Sequence, residues 1–147
     1  MFNNILVAVD SSAQAGKAVS AGSALAAKFD ANLILYCVVD HSHAPRDVAR
    51  FAAAEAVDDA DKFEERSTIE AVLKPLEEEA RRAGVNHIRA EVSRGDPAHS
   101  ILGFAEGGDV DLIVMGRRGL GPFEGLLMGS VSSKVTALAD CPVLTVK

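Results

Sequence analysis

A chain of 147 residues, with 48% hydrophobic and 24% charged side chains, is long enough for one compact core and too apolar to be a disordered polypeptide. Its formal net charge of −6 and isoelectric point of about 5.1 exclude a general attraction to phosphate polymers, so nucleic acid is not an expected partner. The longest apolar run, Leu33 to Val39, falls far short of the roughly 20 residues a membrane-spanning helix needs. No charged n-region precedes a long apolar stretch at the start, so a secretory signal is not expected either, and the expected setting is cytoplasmic. Cys37 and Cys141 lack metal-ligand spacing and are expected as free thiols.

Ile5–Val9 is the first strand-like run, and it ends on Asp10 with Ser11 and Ser12 behind it, either of which can cap a helix. Ala15, Val19, Gly22, Leu25, Ala26 and Phe29 then recur at helical spacing. Asn32–Val39 is a second, nearly all-apolar strand. From about His41 to Ser67 the chain is alanine-rich and charged, with no clear strand, and a helix behind a lead-in loop is expected. His41 and His43, beside Asp40, have the chemistry to ligate zinc, but no third ligand stands at usable spacing and a solvated loop is the expected reading. In Thr68–Ala83 a 3.6-residue pattern of Ile69, Val72, Leu73, Leu76 and Ala80 runs to Arg81, Arg82 and Gly84, a cationic last turn with a glycine after it. Pro75 predicts a kink or a break inside that segment. His87–Ser93 alternates apolar with polar residues, as a strand near an edge does. Asp96–Pro97 supplies an N-cap and first helical position for a helix to about Glu106, closed by Gly107–Gly108. Asp111–Met115 is a buried strand, Ser130–Ala139 a last helix and Pro142–Val146 a last strand. Strands that alternate with helices predict parallel pairing through right-handed crossovers, hence an α/β three-layer sandwich in a single domain with helices on both faces.

In such sheets ligands bind beyond the carboxyl ends of the strands. Asp10 stands at one such end, where its carboxylate can accept a ribose hydroxyl or orient a metal, or serve merely as a loop acid or cap. A second end follows Asp111–Met115: Gly116, Gly119 and Gly129 form the pattern G-x2-G-x9-G, with Ser130 next. Glycines let backbone amides approach phosphate oxygens. Gly129–Ser130 opens a helix whose free N–H groups and positive dipole end favour an anion. Ser130 and Ser132 add hydroxyls and Arg118 adds charge-assisted bonds, a chemistry suited to a di- or triphosphate. The competing reading is a glycine-rich surface loop that closes a strand–helix crossover. There is no G-x4-G-K-[ST], and the glycines do not follow the first strand as in a dinucleotide fold. Phe123, Leu126, Leu127 and Met128, inside the loop, are candidates to cover phosphates or meet a neighbouring subunit. Glu77–Glu79 reads as a solvent-facing helix surface, and no serine sits on a G-x-S-x-G elbow, so no catalytic residue is assigned.

Together ILVAVDSS, MGRRGLGPFEGLLMGSVSSKV and CPVLTVK resemble the first strand, nucleotide loop and last strand of single-domain universal stress proteins of the ATP-binding kind, over essentially the whole chain. The resemblance implies a five-stranded parallel sheet of order 3-2-1-4-5 and a homodimer through the C-terminal strand. That pairing would also cover PVLTV, an aggregation hazard if left as an open edge. It further implies a stress-response regulator that binds ATP, with Mg²⁺ carried on the phosphates rather than on protein ligands, and an unidentified protein partner. Transferred by position, Ala8, Val9 and Asp10 line the ribose and adenine side, and Val38 contacts adenine. Met115, Gly116, Arg118 and Gly119 wrap the ribose and phosphates; Gly129, Ser130, Val131 and Ser132 receive the phosphate chain. Ala8 stands where proline is frequent and Ser11 where glycine or a bulkier residue is common; neither departure removes a phosphate donor. The alternative implied by the same site is a weak ATPase or autophosphorylating enzyme, with Asp10 orienting a metal or water and Ser130 or Ser132 as acceptor.

Overall fold

Nearly unbroken apolar runs can be buried only if both faces of a sheet are covered, and that is the arrangement found. The computed structural model describes residues 1–40, 54–119 and 128–147. In chain order the elements are β1 (Asn4–Val9), α1 (Ala13–Phe29), β2 (Asn32–Val39), α2 (Ala54–Thr68), α3 (Lys74–Arg82), β3 (Ile88–Arg94), α4 (Pro97–Gly107), β4 (Leu112–Gly116), α5 (Ser130–Leu138) and β5 (Val143–Val146). The five strands form one parallel sheet of order β3-β2-β1-β4-β5. β1 pairs with β2 from Asn4↔Asn32 to Val9↔Cys37, and with β4 from Ile5↔Leu112 to Ala8↔Met115.

Side chains that alternate along each strand feed two cores. Ile5, Val7 and Val9 join Leu33, Leu35 and Val114 under α1 and α3, around Val19, Leu73 and Ala80. Leu6 joins Ile34, Tyr36, Ile113 and Met115 under α4 and α5, around Ile101, Ala105 and Val135. The alternating strand expected near an edge is β3, one of the two outer strands.

Two helix boundaries show local chemistry acting as expected. Asp96 caps α4 by accepting the His99 N–H at 3.3 Å, with Pro97 at the first helical position. Gly84, just beyond α3, takes φ +92°. At Pro75 the outcome differs from a simple break. A single π-helical turn, Ile69–Leu73, joins α2 to α3, and the Lys74 N–H reaches back to the Ile69 carbonyl. Proline has no N–H for the preceding turn and its ring crowds that turn's carbonyl; the widened turn absorbs both faults while the helical path continues. The helix expected within residues 41–67 is present from Ala54 onward. His41 and His43 lie outside the described residues.

Among the described residues no helix is long and apolar enough to cross a membrane, and no group of three or more His, Cys, Asp or Glu is placed to hold a metal.

Two glycines of α1 should respond oppositely to alanine. A Cβ on Gly22 would lie 2.5 Å from the Val7 Cγ2 atom, whereas one on Gly16 meets nothing within 4 Å. Urea unfolding should show Gly22→Ala losing about 1–3 kcal/mol by overpacking. Gly16→Ala should gain about 0.5–1 kcal/mol from helix propensity alone.

Candidate functional site

β1 has β2 on one side and β4 on the other, so the connections leaving β1 and β4 diverge to opposite faces and open a crevice at their carboxyl ends. Asp10 leaves β1 at this point. Its Oδ1 accepts the Ser12 backbone N–H at 2.9 Å and also the Ser12 hydroxyl. Ser12 is thus the N-cap residue of α1, yet it spends its side chain on Asp10 and not on the helix. Asp10 Oδ2 lies on the other side, where a Cβ on Gly119 would approach it to 2.7 Å. Gly119 therefore has no side chain because the acid occupies that space. Gly116 is constrained in the same way, since a Cβ there would lie 2.8 Å from the Gln14 Cβ on the first turn of α1.

Gly129 stands apart from these two. Its φ of −73° and ψ of 167° are open to any residue, and the nearest atoms to an added Cβ are at 3.6 Å. Nothing in the described protein requires glycine there. Gly129 is the N-cap position of α5 and offers no capping side chain; the first intrahelical bond runs from Ser133 N–H to the Gly129 carbonyl at 3.0 Å. The N–H groups of Ser130, Val131 and Ser132 precede that bond, and they form a helix end with its partial positive charge undiminished by a capping side chain.

The two serines of this turn differ. Ser130 is exposed. Ser132 is 2% exposed, and its hydroxyl lies 2.7 Å from the Arg117 carbonyl oxygen and 3.1 Å from that of Gly129. The Arg117 carbonyl also accepts the Gly129 N–H at 2.9 Å, while the Arg117 N–H donates to the Val146 carbonyl at 2.7 Å. One residue, through its N–H and its carbonyl, thus ties the ends of β4 and β5 to the start of α5. The Ser132 hydroxyl, expected to serve a phosphate, is committed to this clasp, and the backbone N–H is what Ser132 presents at the helix end.

Of the apolar positions chosen from sequence, Ala8, Val38, Met115 and Val131 all pack on the α4–α5 side. Val9 does not join them, because strand alternation turns its side chain into the opposite core under α1. Arg118 is half-buried at the β4 end. Met128 is half-buried, and Phe123, Leu126 and Leu127 lie outside the described residues. Beside Val9 in register is Cys37, where burial, helped by the negative charge of Asp10, pushes the thiol up to about 11. It stays protonated at neutral pH and is no nucleophile there.

The sequence profile of the universal stress protein family matches residues 1–147. The chain belongs to this family. It is 36% identical over 154 residues to the universal stress protein YxiE of Bacillus subtilis (strain 168), covering 100% of both chains. Among solved structures it is similar to the universal stress protein UspA from Lactobacillus plantarum, with a TM-score of 0.81 and 26% identity over 99% of this chain and 98% of that one. Two more distant family structures are described as complexes. One, with cAMP, has a TM-score of 0.73 and 24% identity over 99% of this chain and 96% of that one. The other, from Archaeoglobus fulgidus with dAMP, has a TM-score of 0.65 and 21% identity over 99% and 98%. At those identities they share the fold with this chain. The family sheet order, 3-2-1-4-5, is the order observed here.

The contrast between the two serines is measurable. Ser132→Ala should lower the free energy of unfolding by about 1–2 kcal/mol, since it strips a buried hydroxyl from the clasp. Ser130→Ala, at an exposed position, should stay within about 0.5 kcal/mol of the parent in the same urea titration.

Proposed function

We propose that this family member binds ATP in the crevice between the β1 and β4 ends and acts in the cytoplasm as a nucleotide-dependent stress-response regulator. One observation carries the reading: Gly129 opens α5 without a cap, in a conformation and with surroundings that leave space for a side chain the protein does not use. A phosphate oxygen approaching the N–H groups of Ser130, Val131 and Ser132 is a physical reason for keeping that space empty. The binding of cAMP and dAMP by proteins of the same fold supports an adenine nucleotide as the ligand class.

In this reading each part of the crevice has a task. Ala8, Val38 and Met115 offer an apolar wall to adenine, and Val9 contributes through its backbone. Asp10 Oδ2, close against Gly119, is the acceptor for a ribose hydroxyl. Gly116 and Gly119 keep the loop backbone low over the strand ends. Arg118 supplies charge to the phosphates, which extend to the Ser130 hydroxyl and the α5 amides. Mg²⁺ fits such a donor set through phosphate oxygens and water, with Asp10 as a nearby carboxylate. When bound it neutralises phosphate charge.

The reading extends to a homodimer through β5. That strand is the outer edge beyond β4, and Leu144 on it is 38% exposed. Pairing with its copy would cover both the apolar side chain and the open backbone edge. A further protein partner would then read the nucleotide state of the dimer.

Isothermal titration with ATP and with GTP, on protein freed of carried-over nucleotide, tests the proposal. Saturable heat with ATP is expected; no heat with either at millimolar concentration overturns it. Gly129→Val locates the phosphates. The substitution should cost no more than about 1 kcal/mol of stability, the scale of an N-cap change. ATP affinity should fall at least about tenfold, the loss of one good charge-assisted contact. Unchanged affinity in a folded variant would put the phosphates elsewhere.

A further inference from the structure

α2 reverses the usual arrangement of an amphipathic helix, whose apolar stripe turns inward. Of its residues 60–68 none is buried; Asp61, Glu64 and Thr68 are half-buried, while Phe63 is 73% exposed. The stripe that meets the body of the protein thus carries two carboxylates, and both meet one arginine. Arg94, at the end of β3, donates to the Asp61 carboxylate and to the Asp61 backbone carbonyl. Its Nη1 atom also lies 3.6 Å from Glu64 Oε2.

The π turn is what aims those acids. The inward stripe reads Asp61, Glu64, Thr68, Leu73, Leu76 and Ala80, at steps of three, four, five, three and four residues. The step of five spans Ile69–Leu73, the π turn. An unbroken α-helix run backward from Leu73 through Ile69 would bring Glu65 or Arg66 and then Lys62 onto that stripe, and all three are exposed instead. One additional residue in a turn rotates the helix face by about 100°. A single helical path therefore changes its means of attachment at the π turn. Leu73 and Ala80 are fully buried on one side of it, and Asp61 and Glu64 face a cation on the other.

The base of this contact is firm. Arg94 is in register with Val39 on β2, and Gly95, at φ +128°, donates its N–H to the Val39 carbonyl at 3.1 Å. Residues 60–68 lack comparable support, since helices in proteins gain most of their stability from a buried apolar face. We infer that the Arg94 contact is an electrostatic latch for residues 61–68 of α2, and that rising ionic strength releases them while α3 stays docked. The Arg94 side chain is 27% exposed and those of its two acids more so, which lets salt ions reach all three groups. Shortening the Debye length from about 10 Å at 0.1 M salt to about 3 Å at 1 M weakens such a contact and leaves the burial of Leu73 and Ala80 intact. The latch responds to the ionic strength of the medium, an input independent of the nucleotide.

Amide hydrogen exchange of the full chain, resolved by NMR at about 0.1 M and about 1 M sodium chloride, tests the latch. Exchange at residues 63–68, relative to residues 76–82 of α3, should rise about fivefold or more with salt. Arg94→Gln should show the same rise already at low salt and little further response to salt. Arg89→Gln, which removes the neighbouring β3 arginine and its pair with Glu91, should leave residues 63–68 at the parent rate. If Arg94→Gln does not fold, the double variant Asp61→Asn, Glu64→Gln carries the same expectation. Exchange at residues 63–68 that ignores salt in the parent overturns the latch. So does a parent-like rate in the folded latch variant, an equal acceleration of residues 76–82, or an equal effect of Arg89→Gln.

Discussion

β1 is the constraint on which the rest of the molecule depends. It is hydrogen-bonded on both edges and covered on both faces, and Ile5, Leu6 and Val7 are fully buried. Because β2 and β4 both run parallel to it, no hairpin can make either connection; the chain must cross a face of the sheet each time. The path out of β1 goes to one face through α1, and the path out of β4 goes to the other through α5. The crevice between their ends follows from this topology before any side chain is chosen. Asp10 and Gly116 enter it because one follows, and the other ends, a buried strand.

The three glycines of the motif then divide by cause. Gly116 and Gly119 answer to the protein: a side chain at Gly116 would press on the first turn of α1 at Gln14, and one at Gly119 would displace the Asp10 carboxylate. Gly129 answers to nothing within the described protein. The same division separates Ser132, spent on the Arg117 carbonyl, from exposed Ser130. Rigid parts are satisfied internally, while the groups left open at the start of α5 are those an anion would satisfy. A binding site needs this combination, since donors that are already fixed lose little entropy when the ligand arrives.

Much of the fold was legible because the signals were local or periodic. Continuous apolar runs marked the buried strands, alternation marked the β3 edge, and Asp96–Pro97 marked the start of α4. Pro75 was legible as a disturbance but not as a π turn, because how a helix repairs a missing donor depends on what packs around it. In the site, the glycine spacing announced a close approach without saying to what. The Ser132 clasp left no trace in the letters, since its partner is a backbone carbonyl 15 positions earlier, brought close only by the β4–α5 crossover. The facing of Val9 was readable in principle: neighbours on a strand point to opposite faces, so Ala8 and Val9 cannot both line one wall. The sheet order came from the family resemblance, because periodicity says nothing about which strand lies beside which.

Backbone amide NMR of the labelled chain tests the central claim most directly, since the claim concerns three amides at the start of α5. Titration with ATP should shift the resonances of Ser130, Val131 and Ser132, and titration with adenosine, which has no phosphate, should leave those three in place. ATP binding that moves other amides while these stay fixed would contradict the account.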